Sequence, residues 1–376
     1  MLTMRWFFWS SVTALAYTYA GYPAWLWLRS RFRARPVQAA EYTPSISIVM
    51  VVRNEAGVLE AKLQNLLSLD YPAGLVEIVV VSDGSKDATN DILQRYAQDS
   101  RVRVVATAES RGKAAGLNEA IAVAQGEIVV FTDARQKIEA GAIRLLTSQF
   151  ADVSIGCASG ELMLGDPDSG EVIGGMGLYW RIEKTVREME SASGSVVGAT
   201  GAIYAVRRQL LVQVPAGTIL DDLYIPMNVV RQGLRVTFVP NAHAWDLADQ
   251  GSDREFSRKV RTLTGNYQLV QIAPWLLGAS NPLRFEFVSH KLLRLFAPFA
   301  LTAALIASMA LPQPFYRAAL AVQIAFYGLS LIAMTKVLKG PVAKVADAAR
   351  TFVVLNSAAV VAFVKFVTGR RVAWVR

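Results

Sequence analysis

Two kinds of hydrophobic pattern divide the chain. Between Pro44 and about Pro240, short apolar runs alternate with stretches whose apolar residues recur every three or four positions. Ile46-Ser47-Ile48-Val49-Met50-Val51-Val52 is a near-continuous apolar run, as expected of a strand buried on both faces. Ala56 to Leu69 has helical spacing and is closed by Tyr71-Pro72. Val76 to Val81 predicts a second strand, Asp87 to Gln98 a second helix, and Arg101 to Ala106 a third strand. Lys113 to Ala124 then predicts a third helix, and Glu127 to Thr132 a fourth strand. Such alternation predicts an α/β fold with a mostly parallel sheet covered on both faces. Ligands then sit beyond the carboxyl ends of the strands.

The ends of the chain read differently. Trp6 to Leu28 is apolar and aromatic over a bilayer-spanning length. A cleaved leader fits less well, because only Arg5 precedes the apolar run and no small-residue cleavage site follows it. Arg29, Arg31, Arg33 and Arg35 come next, which puts the following domain in the cytoplasm by the positive-inside rule. His290 to Leu311 and Phe315 to Met334 are each near spanning length, and Pro312-Gln313-Pro314 separates them as in a membrane hairpin. Thr351 to Val367 carries Asn356 and Lys365 and runs into Gly369-Arg370-Arg371, so it is a weaker span, expected to lie in the interface or fold back. Phe256 to Leu277 mixes basic and apolar residues and is expected to lie along the inner membrane face. The expected organisation is a membrane helix with a basic flank (1–35), a cytoplasmic α/β domain (36–255), an amphipathic interface segment (256–289) and a C-terminal membrane region (290–376).

Composition agrees with a membrane-bound chain. Hydrophobic residues make up 53% and charged residues 18%, too apolar for an ordinary soluble domain. The net charge of +9 comes largely from arginines and lysines flanking the apolar stretches, which suits anionic lipid. No nucleic-acid-binding motif accompanies them, so nucleic acid is not expected as a partner. The one cysteine, Cys157, excludes an intrachain disulfide. Two histidines, His243 and His290, are too few for a three-histidine zinc site, and no nucleophile-elbow pattern supports a serine triad.

The candidate chemistry lies where strands end. The first strand runs into Arg53-Asn54-Glu55 and the second into Ser82-Asp83-Gly84-Ser85-Lys86-Asp87. Asp87 or Ser85 suits a helix cap, whereas Asp83 has no such task and is suited to a base edge or ribose hydroxyl. Arg111-Gly112-Lys113 opens a helix with two cations and free backbone N–H groups, which suits a diphosphate. The fourth strand ends in Asp133. Acid, base with glycine, and acid on one edge of one sheet describe a nucleotide-diphosphate site.

These segments, in this order, resemble the family 2 glycosyltransferases of the GT-A fold, a Rossmann-like α/β architecture. The resemblance is to the membrane-integrated branch that includes hyaluronan, cellulose and poly-N-acetylglucosamine synthases, and it runs from about Pro44 to Asn266. It implies transfer of a sugar, with inversion, from a nucleotide diphosphate sugar such as a UDP-sugar to a glycan or lipid-linked acceptor. It implies donor contacts from Arg53, Glu55, Asp83, Lys113, Asp133 and Arg258. The family's Asp-x-Asp metal motif aligns with Asp133-Ala134-Arg135, implying Mg²⁺ or Mn²⁺ at Asp133. Its acceptor-side segment resembles Thr200 to Arg208, implying acceptor contacts at Gly201 and Ala202. Trp180, on the helix from Leu178 to Met189, is a further candidate for stacking on a sugar. The family's Glu-Asp motif matches Asp221-Asp222, which implies Asp222 as catalytic base with Asp221 beside it. Arg261, with Arg258, is implied on the leaving diphosphate.

Two positions depart from the pattern. Arg135 stands where the second metal-binding carboxylate usually stands, so His243 is a candidate for the missing ligand, or Arg135 itself meets phosphate or acceptor. In Arg258-Lys259-Val260-Arg261-Thr262, a threonine replaces the tryptophan that stacks on the acceptor in processive synthases. Thr262 has no ring face, which favours single additions to a lipid-linked acceptor. Export of a polymer through so few helices requires a packed bundle or an oligomer. Gly165 to Gly177 is expected to be a mobile loop over the site.

Overall fold

In the computed structural model, the described residues are 1–166, 171–172, 178–246, 252–335 and 337–369. Most of the expected loop from Gly165 to Gly177, and Arg370-Arg371, lie outside them.

The strands are β1 (Ile46–Val52), β2 (Val76–Asp83), β3 (Val102–Thr107), β4 (Ile128–Thr132), β5 (Lys137–Ile138), β6 (Ile155–Asp166), β7 (Glu171–Val172), β8 (Ile203–Arg207) and β9 (Arg235–Asp246). They form one sheet in the order β3-β2-β1-β4-β8-β6-β9-β5, with β7 paired to β6. Every residue of β1 is buried, as its apolar run requires. β1 runs parallel to β2 and β4, and β2 runs parallel to β3. The second half is mixed. β8 is antiparallel to both β4 and β6, while β6 and β9 are parallel. The sheet is therefore less parallel overall than the sequence pattern suggests. The antiparallel register sets Thr132, the last residue of β4, opposite Ile203, the first of β8. It thereby brings Asp133 to the segment Gly201-Ala202.

Among the described residues, three helices are long and apolar enough to cross a membrane: Arg284–Ala310, Pro314–Ala333 and Gly340–Val367. The last is a correction. Thr351 to Val367 is only part of a 28-residue helix that starts at Gly340. The N-terminal segment is helical from Leu2 to Phe32, with a π-helical turn over Tyr17–Gly21. Its Phe8 is buried against Ala307, Leu311 and Tyr316 of the C-terminal helices. The basic segment after β9 forms the helix Ser252–Ile272, and it packs on Gly340–Val367 through Val260, Ala358 and Ala362 and a stack of Tyr267 on Phe366.

A buried polar network joins the α/β domain to these helices. His290, wholly buried, contacts Glu190 Oε1 through Nδ1 (2.8 Å) and Glu183 Oε1 through Nε2 (3.0 Å). Tyr22 of the N-terminal helix donates to the same Glu190 oxygen (2.7 Å), and Arg294 pairs with Glu183 Oε2 (2.5 Å). Both glutamates lie on the helix Leu178–Ser193. Burial pushes the Glu183 carboxyl up, but His290 and Arg294 outweigh it and hold the group well below its ordinary value.

Candidate active site

The first two crossover loops are stapled together. Asn54 takes a left-handed conformation (φ 53°), and its side chain accepts a hydrogen bond from the Lys86 amide (2.7 Å). In return, Thr89 Oγ1 accepts from the Glu55 amide and Asp87 from the Ala56 amide. Asp87 stands one residue before the N-cap, Ala88, rather than at it, and its carboxylate accepts from Thr89 N at 3.0 Å.

Asp83 is only 1% exposed. Its carboxylate accepts hydrogen bonds from Ser110 Oγ (2.7 Å), Arg111 N (2.7 Å) and Gly112 N (3.0 Å). Holding the 110–112 loop is thus a task for Asp83 that the sequence did not reveal. Gly84 makes room for it, since a Cβ there would stand 2.5 Å from Ser110 N. The loop ends at Gly112 and delivers Lys113, the first residue of the helix Lys113–Val123.

Lys113 is the hub of the site. Its Nζ lies 3.0 Å from Asp133 Oδ1 and 3.3 Å from Asp221 Oδ1. Burial disfavours the ammonium, but Asp133 and Asp221 outweigh it and raise the pKa. Asp221 and Asp222 form the first turn of the helix Asp221–Arg231, where the helix dipole favours acids. Asp222 Oδ2 accepts from Gly201 N (3.2 Å), and Asp222 O accepts from Ala199 N (2.7 Å). A Cβ at Gly201 would stand 3.3 Å from Asp222 Oδ2 and 3.7 Å from Asp133 Oδ2, so both carboxylates face one notch beside this glycine. Burial, then the charge of Asp221, pushes Asp222 up to about 6.

The other expected residues divide. Among the described residues, the buried Nε of Arg53 has no hydrogen-bond partner. Glu55 pairs with Arg135, Nε to Oε2 at 3.6 Å, and burial raises its pKa. Arg258 Nη1 lies 3.9 Å from Asp246 Oδ2, which also accepts from Gln136 Nε2 (3.0 Å). Arg261 and Trp180 are half-buried and enter no hydrogen bond, ion pair or ring contact among the described residues. Ala202 O accepts from Thr132 Oγ1 (2.9 Å), which locks the acceptor-side segment to β4.

His243 does not join Asp133. Its Nδ1 contacts Glu139 (3.1 Å) and its Nε2 faces Glu161 at 3.7 Å, and Glu161 is also held by Lys184 (2.9 Å). It sits on β9 beside β6, and the register pairs it with Glu161. Among the described residues, no group of three or more His, Cys, Asp or Glu side chains could hold a metal. Asp133, at the aligned position, would hold a divalent ion with a ligand's phosphate oxygens supplying further positions, as is common for Mg²⁺.

Sequence reasoning missed Lys62, although a signal was there. The buried positions of the helix Ala56–Leu67 are Leu59, Lys62, Leu63 and Leu66, so a lysine stands on the apolar stripe. Burial pulls its pKa down to about 7, with Asp133 acting in the opposite direction.

Comparison with known proteins bears on the domain and its fold. The Glycosyl transferase family 2 profile matches residues 47–213. Poly-beta-1,6-N-acetyl-D-glucosamine synthase of Staphylococcus aureus is 22% identical over 249 residues, 65% of this chain. That of Staphylococcus epidermidis is 24% identical over 231 residues, covering 60% of this chain and 55% of its own length. The chain spans about 60% of the length of the S. aureus enzyme it matches. Among solved structures, the mannosyltransferase PcManGT from Pyrobaculum calidifontis, in complex with GDP-Man and Mn²⁺, superposes with a TM-score of 0.75 at 24% identity. The match covers 96% of this chain and 99% of that one. The α/β sheet is accordingly GT-A-like in fold, and residues 47–213, a little under half of the chain, are similar to the Glycosyl transferase family 2 domain.

Proposed function

We propose that the protein transfers a sugar from a nucleotide diphosphate sugar, most simply a UDP-sugar, to a glycan or lipid-linked acceptor at the cytoplasmic membrane face. The N-terminal helix and the three C-terminal apolar helices anchor it, with the α/β domain inside. The supporting observation is the shared notch at Gly201, which Asp133 and Asp222 both face. An acceptor hydroxyl placed there loses its proton to Asp222 Oδ2 as its oxygen attacks the anomeric carbon from the side opposite the diphosphate. The configuration inverts. Lys113, between Asp133 and Asp221, would neutralise the departing diphosphate, with Arg261 and Arg53 as further cations for that task. Asp133 would hold Mg²⁺ or Mn²⁺ together with the diphosphate, and the ion supplies Lewis-acid stabilisation of the leaving group.

Polymer synthesis for the cell surface is the first reading, in line with the poly-N-acetylglucosamine synthases that the chain is similar to. A second reading, one sugar added to a lipid-linked acceptor, is favoured by the exposed Thr262 on the helix Ser252–Ile272, which offers no stacking ring. Purified full-length protein in lipid, incubated with labelled nucleotide sugars with and without Mn²⁺, tests both. UDP- and GDP-sugars belong in the screen, since PcManGT binds GDP-Man. Polymeric product supports the first reading and a single-sugar lipid the second. Absence of transfer from every donor, with membranes as acceptor source, would refute the proposal.

A further inference from the structure

Lys62 is a buried amine outside the set of groups that face the notch. It is 3% exposed, and its Nζ donates to Thr132 Oγ1 (2.9 Å) and to the Gln136 carbonyl (2.6 Å). Those two acceptors bracket Asp133, Ala134 and Arg135, so one amine closes the turn that displays Asp133. Thr132 Oγ1 donates onward to Ala202 O (2.9 Å), next to Gly201. A single buried chain therefore runs from the helix after β1, through the base of the Asp133 turn, to the acceptor-side segment. Lysine is rarely buried this deeply, and leucine at 62 would continue the apolar stripe of Leu59, Leu63 and Leu66. We infer that Lys62 is a positioning residue, clamping the Asp133 turn so that its carboxylate meets both the metal–diphosphate and the Gly201 notch.

This inference rests on the reading of Asp133 as the metal carboxylate. It also separates from simple electrostatics. A lysine acting only as nearby positive charge would repel a metal, so its removal would tighten metal binding. A clamp predicts the opposite. The test is Mn²⁺ binding to full-length protein with UDP present, followed by EPR of free Mn²⁺, for wild type, Asp133→Asn, Lys62→Met, Lys62→Arg and Thr132→Val. Lys62→Met is expected to weaken Mn²⁺ binding about 10-fold, within the range seen when groups supporting a metal ligand are removed. Lys62→Arg should recover most of that loss, and Thr132→Val should weaken binding by a smaller factor in the same direction. Thermal melting reports whether each variant folds. If Lys62→Met does not fold, Thr132→Val decides, because it removes one hydroxyl and little volume. Unchanged or tighter Mn²⁺ binding in the folded variant overturns the clamp. If wild type itself binds no Mn²⁺, or Asp133→Asn binds it equally well, the metal reading fails and the clamp falls with it.

Discussion

Arg135 reaches back across the rim to Glu55, its Nε standing 3.6 Å from Oε2. The position that holds a second metal carboxylate in Asp-x-Asp enzymes is therefore occupied by the cationic half of a partly exposed ion pair. Such pairs contribute little to stability, at most about 1 kcal/mol. Their effect here is on charge at the site. Arg135→Asp should tighten Mn²⁺ binding in the presence of UDP, because ligand charge count sets affinity for hard cations. His243→Ala should leave that binding unchanged, since His243 is engaged by Glu139 and Glu161. Titration calorimetry on both variants checks the pair. Loss of Mn²⁺ binding in His243→Ala would return that histidine to the site.

Asp222 ties activity to pH. Burial and Asp221 raise its pKa to about 6, so transfer should rise as pH passes through about 6 and level off above. Asp222→Asn should lower turnover by roughly 10²- to 10⁴-fold while the donor still binds. Stability moves the other way. A carboxyl whose folded pKa is raised stabilises the fold fully below its unfolded pKa of 3.8, and that contribution is lost as pH climbs through about 6. At neutral pH, Asp222→Asn should therefore be the more stable protein, on the order of 2 kcal/mol. Paired melting curves and donor assays on the two proteins measure both effects. An Asn variant that is both less stable and fully active would contradict the assignment.

Asp83 acts through the loop it holds. Asp83→Asn leaves one acceptor oxygen where three donors converge, at a cost of about 1–3 kcal/mol for the unsatisfied group. With the 110–112 loop loosened, Lys113 loses its fixed place, so the donor KM should rise more than kcat falls. Kinetics over a donor titration, alongside a melting curve, would show it. A stable variant with unchanged KM would mean the loop does not position Lys113.

The Glu190 carboxylate docks the domain on the membrane helices. Tyr22→Phe removes one donor and should cost about 1 kcal/mol, the net value of a typical hydrogen bond. Glu190→Leu removes the partner of buried His290 and should cost about 3 kcal/mol or more. Thermal unfolding of full-length protein in detergent reads both. Equal, negligible effects would show that the network does not hold the domain in place.

Much of this architecture was legible along the chain. The all-apolar β1, the helical spacing of Lys113 to Val123 and the polar breaks after β1, β2 and β4 are local patterns, and local patterns follow from burial and backbone preference. They predicted the parallel half of the sheet, the rim, and the residues Lys113 and Asp133 that meet there, whereas Asp222 was implied only by the resemblance of Asp221-Asp222 to the family's Glu-Asp motif. Long-range register left no such mark. The antiparallel pairing of β4 with β8 is what brings Gly201 to Asp133, and nothing within either segment states which partner it will choose. Likewise Arg135 meets Glu55, His243 meets Glu139 and Glu161, and His290 meets Glu190 across 80, 104, 82 and 100 positions of chain. Charge pairing depends on distance in space, and only the packed sheet and helices decide that distance.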